Sequence, residues 1–441
     1  MVIMKFLKIT LMSAMIACAL LLAGCTRSGN ADEPGSTPAA AGNVTGSAGE
    51  GNDKTDIYDT GGAEAVVPVR QRSVTAAPTD YVSDDMYANA AKFANINLSR
   101  LEAVMRKAEA GQPITVAVIG GSITQGSSAT KPENSYAAIM RRWWEETFPD
   151  TGITYVNAGI GGTDSYLGVH RMGPDLLEYK PDFVIVEYSV NDADTNFYKT
   201  TYENVVRRIL TQENDPAVML LYMTQDNGTS AQGSHAFVGF YYNLPQLSYH
   251  DMIMKELDGG SIVWKDISPD NIHPNDKGHA ICGELIWKYL NSVYAGMTDE
   301  PADAWSVPSA ALTTDAYMNA RILDNRVLAA DETSGFEAKS VAWSEFANGW
   351  QTKDGGSITF TVNAKRIGIL YYRSVSGTYG RADILIDGTA VRAIDADFSG
   401  GWGNSVYAEQ VYSGSESGTH TVTVTVPAGS SFDILGILVT E

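Results

Sequence analysis

Ser122 stands in a glycine-rich run, Gly120-Gly121-Ser122-Ile123-Thr124-Gln125-Gly126, directly after an apolar, β-branched stretch. Such a run places a hydroxyl at the carboxyl edge of a strand, where the chain must turn. Serine is a weak nucleophile at its own pKa and needs a neighbouring base. The segment Asp270-Asn271-Ile272-His273-Pro274-Asn275 offers one, because an aspartate three residues before a histidine can aim a carboxylate and an imidazole into one cleft. Two more segments offer donors for a developing oxyanion. Asn157-Ala158-Gly159-Ile160-Gly161-Gly162-Thr163-Asp164-Ser165 is a loop whose backbone amides are free to point at an anion, and Ser189-Val190-Asn191-Asp192 supplies a side-chain amide. Losing one such donor typically costs about 100- to 1,000-fold in rate. The first run lacks a Gly-x-x-x-x-Gly-Lys pattern, which sets a nucleotide-binding loop aside.

These segments need a frame that brings them together. Short β-branched runs at 114–119, 153–157, 183–188, 218–222 and 261–264 read as five parallel strands. Helical periodicity at 98–110, 136–148, 198–210, 248–257 and 276–293 supplies the crossovers. In an open α/β sheet the site forms outside the carboxyl ends of the strands, and each segment follows a strand or precedes the last helix.

In order, spacing and strand context the four segments resemble those of the SGNH hydrolases, also called GDSL lipases and esterases, over residues 114–292. The resemblance implies a flavodoxin-like three-layer α/β/α domain with a five-stranded parallel sheet. It implies that Ser122 attacks an ester carbonyl, that His273 takes its proton and that Asp270 fixes the imidazole tautomer. The oxyanion hole it implies is the Ser122 amide, the Gly162 amide and the Asn191 side chain, with no cofactor and no metal. Two positions depart from the family. Gly121 replaces the acidic residue that often precedes the serine, and Ser189 replaces the glycine two places before the asparagine. Neither carries a proton, so the expected effect is on substrate preference more than on competence.

Other conspicuous residues have plainer readings. His279 reads as surface or packing, His250 beside Asp251 as a helix start, and His170 as a residue that can line the cleft. Trp143 and Trp144 read as the buried side of a helix. Phe237, Phe240, Tyr241 and Tyr242 read as a loop that packs, with a cleft wall as the alternative. Asp164 and Asn275 are placed near the leaving group.

The N-terminus carries an address. Lys5 and Lys8 precede an apolar run too short to be a stable membrane span, and Leu22-Ala23-Gly24-Cys25 resembles the lipobox of bacterial lipoproteins. Residues 1–25 are therefore expected to be a signal peptide, with lipid on Cys25 holding the protein to a membrane outside the cytoplasm. Residues 26–79, rich in Gly, Ala, Ser, Thr, Pro and acidic residues, read as a disordered tether. Of the three cysteines, Cys18, Cys25 and Cys282, the last sits in an apolar helix and reads as a buried small hydrophobe. With 52 acidic residues against 31 basic ones the net charge is −21, which repels nucleic acid.

The α/β part is assigned to 80–298, a linker to 299–330 and a second domain to 331–441. There the pattern changes to alternating strands at 357–362, 366–372, 382–386, 406–411, 420–426 and 432–439, with Asp387-Gly388 as a hairpin signal. This argues for an all-β sandwich or jelly roll, with Tyr379, Trp402 and Tyr407 as candidate sugar-stacking residues. Anchor, tether and β module together direct the expectation to O-acetyl groups on a polysaccharide. A lipase or lysophospholipase and a non-catalytic glycan-binding lipoprotein are the alternatives.

Overall fold

Runs such as Ile114–Gly120 and Phe183–Glu187 are apolar on both faces, and in a parallel sheet both faces must be covered. The computed structural model describes residues 72–441 except 95, 302, 342 and 400–402, so Cys25, the signal peptide, most of the tether and Trp402 lie outside the described residues. The strands β1 (Ile114–Gly120), β2 (Ile153–Gly159), β3 (Phe183–Glu187), β4 (Ala217–Tyr222) and β5 (Gln246–Ser248) form one parallel sheet in the order β2-β1-β3-β4-β5. That is the flavodoxin-like order, and its topological switch lies between β1 and β3.

Alternation along the strands divides the core. Val116, Val118, Phe183 and Ile185 pack with helices α1 (Asp84–Ala90), α2 (Ser99–Glu109), α4 (Tyr136–Thr147), α8 (Tyr249–Gly259) and α10 (Asp276–Gly296). Ala117, Ile119, Val184 and Val186 pack with α5 (Ser165–Asp175), α6 (Asn196–Leu210) and α7 (Gln232–Tyr241). Two short helices, α3 (Ser122–Gln125) and α9 (Trp264–Ile267), carry the chain through the turns of the site. Trp143 and Trp144 are fully buried in the first of these cores, as their spacing in the sequence suggests.

The fifth strand corrects the sequence reading. It is Gln246–Ser248, paired with Leu220–Tyr222, whereas residues 261–264 lead into α9 and stay partly exposed. A run of three residues is too short to show a period, and the β-branched pair Ile262-Val263 lacks the two-sided burial a parallel strand requires. Helices α5 and α7 are likewise absent from the periodicity. Gly168 and Pro174 interrupt α5 and Gly233 and Gly239 interrupt α7, so tertiary packing overrides weak propensity there.

The flanking segments are less free than their composition suggests. Arg72 donates to the Met297 carbonyl at 2.6 Å and pairs with Glu109. Thr79 Oγ1 and the amides of Tyr81 and Val82 all donate to the buried Glu284 carboxylate. The packed part therefore begins no later than residue 72, which moves the tether's end back from 79. In the stretch assigned to a linker, the Thr313 amide donates to Glu203, and Asn204 bonds both the Thr314 carbonyl and the Tyr317 amide. It is a strap across α6.

The strap ends in β6 (Arg321–Leu323), which is followed by β7 (Glu332–Ser334), β8 (Glu337–Ser340), β9 (Asn348–Thr352), β10 (Gly356–Arg373), β11 (Arg381–Ile386), β12 (Thr389–Asp395), β13 (Ser405–Val426) and β14 (Phe432–Thr440). They form a nine-stranded antiparallel system, in the order β12-β11-β13-β10-β14-β9-β8 with β6 on β14 and β7 on β10, that builds an all-β sandwich. β10 and β13 each unite two runs that the sequence pattern separates. Register shifts at Ala364/Arg366 and Ile367/Gly368 break the alternation without ending the pairing. Asp387 and Gly388, at φ +52° and +74°, make the β11–β12 hairpin turn.

One end of β10 is buried on both sides. Ile367, Ile369 and Tyr371 enter the sandwich core, while Leu370 and Tyr372 join Tyr166, Leu167 and Val169 of α5 in the second α/β core. The sandwich is thus fused to the α/β part through a shared apolar core, and this fixes where it meets the carboxyl edge of the parallel sheet.

Candidate active site

The carboxyl ends of β1, β2 and β3 are level, since Gly120 is in register with both Gly159 and Glu187. Immediately beyond them the chain turns. Ser122 opens α3 with Gly121 as its cap, and the first amides of a helix have no partner within it. The Asp270–His273 loop approaches from α9, and Asn275 then caps α10 by accepting from the amides of Lys277 and Gly278.

The loop delivers a linear relay. His273 Nε2 lies 2.9 Å from Ser122 Oγ, and His273 Nδ1 lies 2.9 Å from Asp270 Oδ2. Asp270 Oδ1 accepts from the amides of Ile272 and His273 at 2.8 and 2.7 Å. Burial opposes ionisation of this carboxyl, but the two amides and the imidazole outweigh it and hold its pKa below the ordinary carboxylate value. An ionised Asp270 keeps the Nδ1 proton of His273 in place and leaves Nε2 free to accept from Ser122.

The donors converge on the same edge. Gly162 has φ +72°, a conformation that glycine adopts without strain, and a side chain there would project into open space. The neighbouring Gly161 amide donates to Gln125 Oε1, which ties this loop to α3. Among the described residues the amides of Ser122 and Gly162 donate to no protein acceptor. Asn191 turns Oδ1 inward, where it is buried and unpartnered, leaving Nδ2 at the cleft.

Ser122, Gly162, Asn191 and His273 line one cleft of about 290 Å³. Its opposite wall comes from the sandwich: Trp343, Glu345, Asn404 and Ser405. A second hollow of about 190 Å³ opens beside Gly162 and Asn191, walled by Asp164 and Tyr198 and by Val406 and Tyr407 of β13. Asp164 caps α5 through the Leu167 amide and accepts from the Tyr198 hydroxyl; burial, reinforced by Asp192, raises its pKa to about 6.

A buried network supports the edge from behind. Glu187 accepts from the Ser189 amide at 3.0 Å and is within 3.3 Å of the Thr124 hydroxyl, and burial raises its pKa to about 7. The Ser189 hydroxyl bonds Glu187 and accepts from the Met223 amide at 2.7 Å. The serine that departs from the family pattern thus joins the ends of β3 and β4, work a glycine could not do.

Several sequence expectations are revised by position. His170 is buried between Tyr166 and Tyr317 at the sandwich interface, away from the cleft. Asn275 is a helix cap and does not line the cleft, whereas Asp164 does line the adjoining hollow. Phe237 and Phe240 lie exposed on α7, a helix and not a loop, and form no cleft wall. His279 is buried, with Nε2 on the Ser127 carbonyl, and His250 bonds Asp251 and the Gly228 carbonyl. Tyr379 packs with its hydroxyl on Asp433, while Tyr407 lines the hollow. The sandwich residues of the cleft and the buried His235 behind Asn191 have no motif in the sequence.

Known proteins resemble this chain in sequence and fold. The sequence profile of the GDSL-like lipase/acylhydrolase family matches residues 118–281. Thioesterase 1/protease 1/lysophospholipase L1 of Escherichia coli is 23% identical over 180 residues, 40% of this chain and 83% of that protein. A crystallised two-domain esterase active on acetylated mannans is 36% identical, with a TM-score of 0.75, over 80% of this chain and 98% of that one. The same esterase crystallised with mannopentaose gives a TM-score of 0.74. Both modules are therefore shared with a solved esterase, and the chain belongs to the SGNH hydrolases, the serine ester hydrolases also called GDSL lipases and esterases.

Proposed function

We propose that the protein removes O-acetyl groups from a polysaccharide through a serine ester intermediate. The observation that carries this reading is a cleft built from both modules, with Ser122 and His273 on one side and the polar sandwich residues Glu345, Asn404 and Ser405 on the other. Hydroxyl-rich sugar rings suit such a wall, with Trp343 offering an aromatic face. The likeness to a two-domain esterase active on acetylated mannans supports the same choice.

In this reading Ser122 Oγ attacks the acetyl carbonyl carbon as His273 Nε2 takes its proton, with Asp270 stabilising the imidazolium. The Ser122 and Gly162 amides and Asn191 Nδ2 hold the oxyanion. Collapse of the tetrahedral intermediate breaks the bond to the sugar oxygen, which His273 protonates. Water, deprotonated by His273, then attacks the acetyl-serine, and collapse breaks the bond to Ser122 Oγ, which His273 reprotonates as acetate leaves. The lipobox-like Leu22-Ala23-Gly24-Cys25 supports placing this chemistry outside the cytoplasm on a lipid anchor.

The test is turnover of p-nitrophenyl acetate, butyrate, octanoate and dodecanoate beside acetate release from acetylated mannan, xylan and peptidoglycan. Acetyl preference with release from a polymer is expected. Preference for the long chains would make the protein a lipase, and Ser122→Ala with full activity would remove the nucleophile. For the anchor, Cys25→Ser is expected to release the protein from the membrane fraction, and retention there would refute lipidation.

A further inference from the structure

Asp192 follows Asn191 directly, yet its carboxylate points away from the cleft and is fully buried. Oδ1 accepts from the Ser165 amide at 2.8 Å, and Oδ2 lies 3.0 Å from His235 Nε2. Ser165 opens α5 three residues beyond Gly162, and His235 sits on α7. One carboxylate therefore ties together the loop that carries Gly162, the turn that carries Asn191, and the helix behind them.

The other contacts hold the same junction. The Asn191 and Asp192 amides both donate to the Tyr188 carbonyl, and the Ala231 amide, at the start of α7, donates to the Ser189 carbonyl at 2.7 Å. Tyr202 of α6 stacks on the His235 ring at 3.6 Å and 2°, so the imidazole cannot swing away from Asp192. Ser165 Oγ meets Thr201 Oγ1 at 2.5 Å. A buried carboxyl group that loses one of two hydrogen-bond partners must find another or move. Here movement would carry the Gly162 loop and Asn191 apart.

We infer that Asp192 and His235 are a buried positioning pair that sets the spacing of the oxyanion hole, with the Gly162 loop and Asn191 held in register through one shared carboxyl group. The inference rests on the esterase reading of the cleft. Neither residue touches substrate; both act through Asn191 and the Gly162 loop. Misplacing a catalytic donor by about 1 Å can cost on the order of 100-fold in rate.

The experiment is a double-mutant cycle on the full chain with p-nitrophenyl acetate as probe, thermal unfolding reporting the fold. His235→Leu is expected to lower kcat about 10- to 100-fold with KM little changed, and His235→Gln, whose amide reaches Asp192, to recover most of the loss. In an Asn191→Ala background, His235→Leu should cost distinctly less, because one of the two donors it positions is already gone. Equal losses in both backgrounds, or no rescue by glutamine in a folded protein, would overturn the inference. If His235→Leu does not fold, Asp192→Asn takes its place in the cycle: a loss that shrinks in the Asn191→Ala background supports the pair, and an equal loss in both backgrounds overturns it. Full activity in Asn191→Ala alone would instead sink the oxyanion assignment, which keeps the two failures apart.

Discussion

The Asn191 carboxamide packs so closely on Gly121 that a Cβ built there would lie 2.2 Å from Asn191 Oδ1 and 2.8 Å from its Cγ. The residue before Ser122 and the side chain proposed to serve the oxyanion hole thus occupy a shared space. Position 121 therefore bears on where the Asn191 carboxamide sits, besides the substrate preference expected from the sequence. Gly121→Ala should push the Asn191 carboxamide off its position and lower kcat on p-nitrophenyl acetate by about 100- to 1,000-fold, the cost of one lost donor. Gly121→Ala kinetics within a factor of a few of the native chain would show that Asn191 does not serve the transition state.

Asp270 accepts two backbone amides as well as the His273 ring. Asp270→Asn keeps the shape but presents an amide N–H or an uncharged oxygen to Nδ1, and the wrong imidazole tautomer then faces Ser122. By analogy with other serine hydrolases kcat should fall by about 10,000-fold. The measurement is kcat at saturating p-nitrophenyl acetate, with circular dichroism to confirm that the loop still folds. A loss below tenfold would mean that His273 is oriented by something other than this carboxylate.

The relay was legible in the sequence because each of its residues follows a strand end or precedes a helix, and local spacing encodes such positions. Ser122, Asn191, Asp270 and His273 all meet at one edge for that reason. What the sequence hides is non-local. β5 is three residues long and shows no period, and α7 contains glycines that mask its helicity, so His235 had no visible context. Trp343, Glu345 and Asn404 come from connections of the sandwich and Ser405 from the start of β13, and their approach to the cleft depends on Leu370, Tyr372 and Leu438 joining the core around α5. No short-range pattern records that docking.

Buried ionisable groups set a pH dependence of stability. Burial raises Glu187 from 4.5 to about 7 and Asp192 from 3.8 to about 8, and lowers His235 to about 3 and His170 and His279 to about 4 from 6.5. The folded acids hold protons that the unfolded chain has released, so their contribution falls as pH rises. The folded histidines lack protons that the unfolded chain binds, so theirs rises with pH until about 6.5. The two trends oppose each other on the acidic side, and above about pH 6.5 the acids act alone. Unfolding free energy from denaturant titrations should therefore decline between about pH 6.5 and 8, with a slope of about 1.4 kcal/mol per pH unit for each proton. Asp192→Asn should flatten the upper part of that decline. An unchanged slope in the variant would show that Asp192 is not the group being ionised.

The sandwich wall gives the last prediction. The Trp343 indole nitrogen is buried without a hydrogen-bond partner, and its ring packs toward Tyr372 on the shared core while lining the cleft opposite Ser122. Its contribution should appear with a substrate large enough to reach it. Trp343→Ala should raise KM for acetylated polysaccharide about 10- to 100-fold, the effect of losing a contact of about 1.4 to 2.8 kcal/mol. The change in kcat/KM for p-nitrophenyl acetate should be much smaller, because that ester engages only Ser122, His273 and the oxyanion donors. Trp343→Phe keeps an aromatic face of smaller area. Recovery of polymer binding in the phenylalanine variant assigns the effect to aromatic stacking in general, and no recovery assigns it to the larger indole surface. Equal losses on polymer and small ester in Trp343→Ala would mean that the residue supports the catalytic edge and does not bind the polymer.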